Sequence, residues 1–225
     1  MKFFWPKYPA LLKLLYPGRI SRIDTPGTIY LTFDDGPVPE VTPWVLDQLE
    51  AFKAKATFFC IGENVEKYPD IFKRILQEGH AVGNHTHNHL DGWKTSTSVY
   101  LENIRIAEEI MSAHFQNKAG SEKEKRINNT PLFRPPYGKI KNSQARELSK
   151  AGYRIVMWDV ISGDYEKEFS PEKCYRNVIE NAVEGSTIVL HDSQKAFGNI
   201  KHILPGILNY YTEKGYELRS LKDIP

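Results

Sequence analysis

The sequence predicts a single α/β domain folded as an irregular (β/α) barrel of about seven parallel strands. Three observations lead there. Short β-branched and aromatic runs alternate with amphipathic helical stretches along most of the chain. The segments between successive runs are long enough to carry crossover helices, as parallel strands require. Polar, chemistry-bearing residues recur where the strand runs stop, which in a barrel is the rim that carries function. An open doubly wound sheet is the second arrangement this order permits.

The first strand is read at residues 28–33 (TIYLTF), a run that stops abruptly at two aspartates. Thr42-Pro43 then reads as an N-cap followed by proline in the first turn of a helix. Val45, Leu46, Leu49 and Phe52 form the apolar stripe of that helix. Residues 56–61 are a second strand, 70–78 a helix closed by Gly79, and 80–84 a short third strand. Residues 98–115 form a long amphipathic helix with Leu101, Ile104, Met111 and Phe115 on one side. The polar stretch 117–130 reads as an exposed loop. Strands at 132–135, 153–158, 186–191 and 216–221 follow. Helices at 143–151, from Ser170-Pro171 to Gly185, and at 200–214 separate them.

A chain of 225 residues suits one barrel domain, and 40% hydrophobic residues suffice for a sizeable core. Thirty basic against 28 acidic residues, with no basic run interleaved with aromatics, give no case for nucleic acid. Cys60 and Cys174 are far apart, and Cys60 sits in an apolar run, so a disulfide framework is not expected and Cys60 reads as a buried free thiol. Residues 1–27 read as a strap across a catalytic domain at 28–225. Pro6 and Pro9 interrupt the aromatic first sixteen residues, which argues against a signal peptide or a spanning helix. A cytoplasmic location is therefore the expectation. A weak peripheral membrane contact through Phe3, Phe4, Trp5 and Leu11 is the alternative.

Four of the seven histidines fall within ten residues: His80, His85, His87 and His89. His85 and His89 are spaced i, i+4, so one helical turn could aim both rings at one ion, with His87 turned away. Such a pair alone is more often a surface or core pair. Asp34-Asp35 offers a third ligand, because adjacent carboxylates at the end of an apolar strand repel unless a cation or an arginine faces them. Asp-Gly-Pro also makes a good turn, but a turn needs only one aspartate. One ligand and one free base is the sharper reading. Two histidines and one carboxylate leave a zinc coordination position open, as hydrolytic sites require.

Five segments then appear in order: TFDDGP at 32–37, NHTHNH at 84–89, RPPYG at 134–138, Trp158-Asp159 through Asp164-Tyr165, and IVLH at 188–191. Together they resemble the motifs of the polysaccharide deacetylases, the NodB-homology domain of carbohydrate esterase family four. The resemblance spans about residues 28–221 and implies an irregular (β/α) barrel. It implies that Asp35, His85 and His89 hold a divalent metal, usually zinc. It further implies that Asp34 is the general base for the attacking water and that Arg134 pairs with it. The backbone N–H of Tyr137 would receive the oxyanion. His191 would be the acid that protonates the leaving amine, tuned by Asp164. Strand alternation places Val189 on the face of His191, where with Tyr165 it could line a small pocket for the acetyl methyl. Two departures, Tyr165 for the usual tryptophan and Ile188 for the usual leucine, bear on substrate range rather than on the catalytic groups.

The expected activity is removal of N-acetyl groups from GlcNAc-type units of a peptidoglycan- or chitin-like glycan. O-deacetylation of a polymer such as xylan is the alternative with the same machinery. A carbohydrate-binding relic would be expected to lose a base, an acid or a ligand, and all are present here. The acid pair leans the reading towards amide, because an amine needs protonation more than an alkoxide does.

Overall fold

A computed structural model describes residues 4–115 and 130–223. Its centre is β2 (Thr28–Asp34), which is buried along its whole length. A strand covered on both faces must be apolar at nearly every position, and TIYLTF is such a run. Around it lie β1 (Arg19–Ile20), β3 (Thr57–Cys60), β4 (Ala81–Asn84), β5 (Leu132–Phe133), β6 (Arg154–Val156), β7 (Val160–Ile161), β8 (Thr187–His191) and β9 (Glu217–Arg219). All their pairings are parallel, in the order β1-β6-β5-β4-β3-β2-β8-β7. β9 pairs the first half of β2 through Thr28 to Tyr30, and β3 pairs the second half from Thr32. The sheet curls into an open half-barrel with helices around it. The expected irregular (β/α) barrel is therefore present. Each of the strands read from the sequence is found within a few residues, and β1 and β7 are additional.

The helices are α1 (Ala10–Leu15), α2 (Val41–Ala51), α3 (Gly62–Lys67), α4 (Pro69–Gln77), α5 (Thr97–Ser112), α6 (Asn142–Lys150), α7 (Pro171–Ile179) and α8 (Phe197–Glu213). Ser96 and Ser170 cap α5 and α7 by accepting the Val99 and Lys173 N–H groups. Three expectations need correction. Thr42 does not cap α2, which starts at Val41; its hydroxyl accepts the Val38 N–H and donates to Asp192. α7 stops at Ile179 rather than running to Gly185, and the Asn181 carbonyl just beyond it accepts from Lys7. The third is α3, a helix with no sequence signal, because in GENVEK only Gly62 and Val65 are buried and no stripe is visible. The expected loop at 117–130 lies outside the described residues apart from Thr130.

Side chains divide by strand alternation. Ile29, Leu31 and Phe33 face outward onto Leu46 of α2 and Leu204 of α8. Tyr30 faces inward with Phe59, Leu132 and Val156 and fills the base of the half-barrel. Phe59 needs room there, and a side chain on Gly83 would stand 2.5 Å from its ring. Above that apolar floor the inner face turns polar, at Thr32, Asp34 and Arg134, all buried. Cys60 and Cys174 are buried free thiols. Among the described residues no helix is long and apolar enough to cross a membrane.

The N-terminal segment joins the two free edges of the sheet. Lys7 forms an antiparallel bridge to Val160, Tyr8 N–H donates to the Asp159 carbonyl, and β1 then pairs β6. Buried Asp159 anchors this path by accepting from Lys7 at 2.8 Å, Lys13 at 2.6 Å and Ser186 at 2.5 Å. Burial opposes its charge, but the two lysines hold its pKa below the usual carboxylate value. Its contribution to stability is thus present above the unfolded carboxylate pKa and lost as pH falls through the lowered folded value. Asp159→Asn should cost about 2 kcal/mol, because the lysines it leaves can still reach water. That is a Tm fall of roughly 4–8 °C. Trypsin should also cut faster after Lys13 in this variant. Unchanged melting and cleavage would show that Asp159 does not hold the segment.

Candidate active site

The two aspartates at the end of β2 have different fates. Asp34 is still in the strand, register-paired with Phe59 of β3 and His191 of β8. Asp35 has φ 84°, a left-handed conformation that turns its side chain away from its neighbour's path. Adjacent carboxylates are thereby separated by backbone geometry. Asp34 Oδ1 accepts from Arg134 Nη1 at 2.6 Å. The same nitrogen donates to Thr32 Oγ1 at 2.7 Å, Nη2 to the Met157 carbonyl at 2.9 Å, and Nε to the Val156 carbonyl at 3.3 Å. The guanidinium lies 4.1 Å from the Phe59 ring centroid. Arg134 is fixed from every side, and Asp34 is fixed with it.

Asp35, His85 and His89 converge. His85 and His89 do not share a helical turn, contrary to the expectation from their spacing. They lie on a bend that follows β4, with Thr86 at φ 64° and His89 at φ 54°. Side chains hold that bend. Asn84 Oδ1 accepts the Thr86 N–H, Thr86 Oγ1 accepts the Leu90 N–H, and Asn103 Oδ1 of α5 accepts the N–H groups of His87 and Asn88. His85 Nδ1 stands 2.7 Å from the Arg134 carbonyl, which can only accept. The proton therefore sits on Nδ1 and the Nε2 lone pair is free. That Nε2 is 3.7 Å from Asp35 Oδ1, and His89 Nε2 is 3.2 Å from the same oxygen.

Asp35 Oδ1 is buried and accepts no hydrogen bond, an unusual state for a carboxylate oxygen. Burial would raise its pKa, yet the imidazoles around it hold it well below the usual carboxylate range. Burial likewise drops His85 to about 4, so its ring is neutral at pH 7. The ligand atoms of the three residues all lie within 4.8 Å of one another. Two imidazole nitrogens and one unsatisfied anionic oxygen fit a divalent cation of the zinc type.

On the neighbouring strand, His191 Nδ1 is 2.8 Å from Asp164 Oδ1, and the His191 backbone N–H donates to Asp164 Oδ2 at 2.8 Å. Asp164 is clasped by Ser162 Oγ at its N–H and by Asn199 at its carbonyl. Burial works against a charged imidazole here, but the Asp164 carboxylate overrides it and pushes His191 up to about 9. The Tyr165 ring packs edge-on to His191 at 4.8 Å, and buried Val189 lies two residues before it on the same face. Across the site the Tyr137 hydroxyl is 3.1 Å from His89 Nδ1, and Tyr137 itself holds φ 59°. All ten residues singled out in the sequence thus line one rim.

Comparison with known proteins decides the family. A family model described as polysaccharide deacetylase matches residues 22–156. The chain belongs to the polysaccharide deacetylase family. It is 40% identical over 166 residues to a peptidoglycan-N-acetylglucosamine deacetylase of Bacillus cereus, covering 73% of this chain and 56% of that protein. The chain thus spans little more than half the length of that relative. A second Bacillus cereus protein of the same description is 34% identical over 198 residues, covering 87% of each. The solved structure of the peptidoglycan N-acetylglucosamine deacetylase Bc1960 superposes with a TM-score of 0.80 at 33% identity, over 92% of this chain and 91% of that one.

One residue of this site escaped sequence reasoning. Asp192, directly after His191, is fully buried. Its backbone N–H donates to the Asp34 carbonyl at 3.1 Å. Its carboxylate accepts the Gly36 N–H at 3.0 Å and the Thr42 hydroxyl at 2.7 Å. A side chain on Gly36 would overlap Asp192 Oδ2. Asp192 therefore braces the turn that carries both aspartates. The available signal was a third carboxylate at the rim with no role assigned to it. Asp192→Ala should leave two buried donors unpaired and cost about 2–4 kcal/mol, a Tm loss of roughly 4–16 °C. Asp192→Asn keeps an acceptor and a polar partner and should stay within about 1 kcal/mol. Equal melting of the alanine variant and the parent protein would show that this brace carries no strain.

Proposed function

We propose that this chain removes N-acetyl groups from GlcNAc-type units of a peptidoglycan- or chitin-like glycan. The observation that carries the reading is the pairing of Asp34, held by Arg134, with His191, held by Asp164, at register partners of adjacent strands. A base and an acid thus stand on either side of one place where a carbonyl can sit. The activity named for both Bacillus cereus relatives is of this class. A divalent cation held by Asp35, His85 and His89 would supply Lewis acidity for the acetyl carbonyl and would acidify a water.

Asp34 takes the proton from the attacking water, and Arg134 keeps that carboxylate ionised and aimed. The Tyr137 backbone N–H serves the oxygen on which negative charge develops. Val189 and Tyr165 flank the acetyl methyl, excluding larger acyl groups. The C–N bond then breaks, and its electron pair goes to nitrogen. An amide anion is too poor a leaving group to depart, so His191 must give up a proton as the bond cleaves. Asp164 serves by keeping that proton in place at neutral pH. Free amine and acetate are the products. An O-acetyl ester would call on His191 far less, which is why the amide is preferred.

His191→Ala should lower turnover of an N-acetyl oligosaccharide by about 10²–10⁴-fold. It should affect 4-nitrophenyl acetate much less, because a phenolate leaves without a proton. Asp164→Asn should act in the same direction and more weakly. The raised His191 value also gives the rate a pH limb. Amide turnover should be flat through neutrality and fall as pH rises through about 9, or somewhat below it once a cation cancels the Asp35 charge. In Asp164→Asn that limb should move towards the ordinary histidine value of about 6.5. Equal losses on amide and activated ester, with an unmoved limb, would remove His191 from the acid role.

A further inference from the structure

Trp93 lies 62% exposed on the same rim, in the connection between the metal-ligand bend and α5. A scattered surface leucine needs no explanation, but a large aromatic ring that is both exposed and held rigid does. Its backbone N–H donates to Asp91 Oδ1 at 3.0 Å and its indole N–H to the Ile140 carbonyl at 3.4 Å. Gly92 beside it is seated so closely that a side chain there would lie 2.4 Å from the Lys139 carbonyl, and Gln144 donates to its carbonyl. The ring is fixed in the open.

It is also continuous with the catalytic centre. Lys139 Nζ lies 5.7 Å from the Trp93 ring centroid and 5.6 Å from that of Tyr137, so both rings flank one cation. Tyr137 is equally exposed and contacts His89, with ring centroids 4.6 Å apart. Lys139 donates to Asp91 at 2.9 Å and, among the described residues, to no other acceptor. Two flat apolar faces with free ammonium N–H groups between them match one kind of occupant. A pyranose presents an apolar face of axial C–H bonds edged by hydroxyl groups.

We infer that Trp93, with Lys139 and Tyr137, forms a subsite for a sugar unit next to the one being deacetylated. The inference rests on the reading that a glycan is the substrate. Trp93 stacks on the neighbouring ring and Lys139 donates to its hydroxyl groups. The subsite thereby makes oligomers better substrates than a single sugar, and it does so through binding rather than through chemistry.

The test measures acetate release from GlcNAc and from its oligomers of two to five units by the metal-loaded enzyme. The parent enzyme should show KM falling from the single sugar to the oligomers, which fill the subsite. Trp93→Ala should flatten that dependence, raising KM for the pentamer about tenfold while kcat at saturation is kept. Trp93→Phe keeps a flat ring but loses the indole N–H, so it should recover most of the loss. Val183→Ala, at an exposed apolar position ahead of β8 on the opposite end of the sheet, should match the parent. A Trp93→Ala enzyme with the parent's length dependence would overturn the inference. So would a Trp93→Phe enzyme as defective as the alanine variant, since the residue would then act only as a loop anchor. Failure of the parent enzyme to deacetylate any GlcNAc oligomer would instead contradict the proposed function, and the subsite with it.

Discussion

The buried Asp34–Arg134 pair is the interaction on which the rest of the site depends. Arg134 reaches Thr32 and Asp34 on β2, the carbonyls of Val156 and Met157 at the end of β6, and the ring of Phe59 on β3. Its own carbonyl fixes the His85 tautomer. One residue therefore orients Asp34, the proposed base, and His85, a proposed ligand, at once. Burying a guanidinium costs several kcal/mol unless a counter-charge and hydrogen bonds offset the loss of water. Here four of its five N–H groups meet an acceptor, and the counter-charge is the Asp34 carboxylate itself. The pair contributes little net stability and much geometric definition.

The remaining parts are arranged around that fixed point by backbone devices. Parallel pairing sets Asp34 beside His191, so the proposed base and the proposed acid are neighbours by strand register and not by loop placement. Four non-glycine residues of the rim, Asp35, Thr86, His89 and Tyr137, hold positive φ. Each such conformation costs roughly 1–3 kcal/mol and persists only where surrounding contacts impose it. The contacts are on hand: Asn64 on the Asp35 carbonyl, Asn84 and Thr86 within the histidine bend, and Asn103 from α5. The strain separates the paired aspartates and brings two histidines to one of them.

How much was legible in the sequence follows from how local each signal is. β2 was plain because a strand buried on both faces writes itself as a continuous apolar run. The candidate site residues were plain because they stand where such runs end. β1 and β7 were not, since two residues carry no periodicity. The histidine spacing suggested a helical turn, but side-chain hydrogen bonds from Asn84, Thr86 and Asn103 support a bend instead. Thr42 looked like a cap because Thr-Pro usually is one; its partner Asp192 lies 150 residues away. Partners that distant are brought together only by the folded sheet.

The division of labour between the two aspartates is the central claim, and bound metal tests it most directly. Asp34→Asn and Asp35→Asn should each be loaded with zinc, desalted, and analysed for metal per chain. Asp34→Asn should keep about one zinc per chain while losing most turnover, and Asp35→Asn should lose its metal. Retention by Asp35→Asn with loss from Asp34→Asn, or equal retention by both, would contradict the assignment of base and ligand.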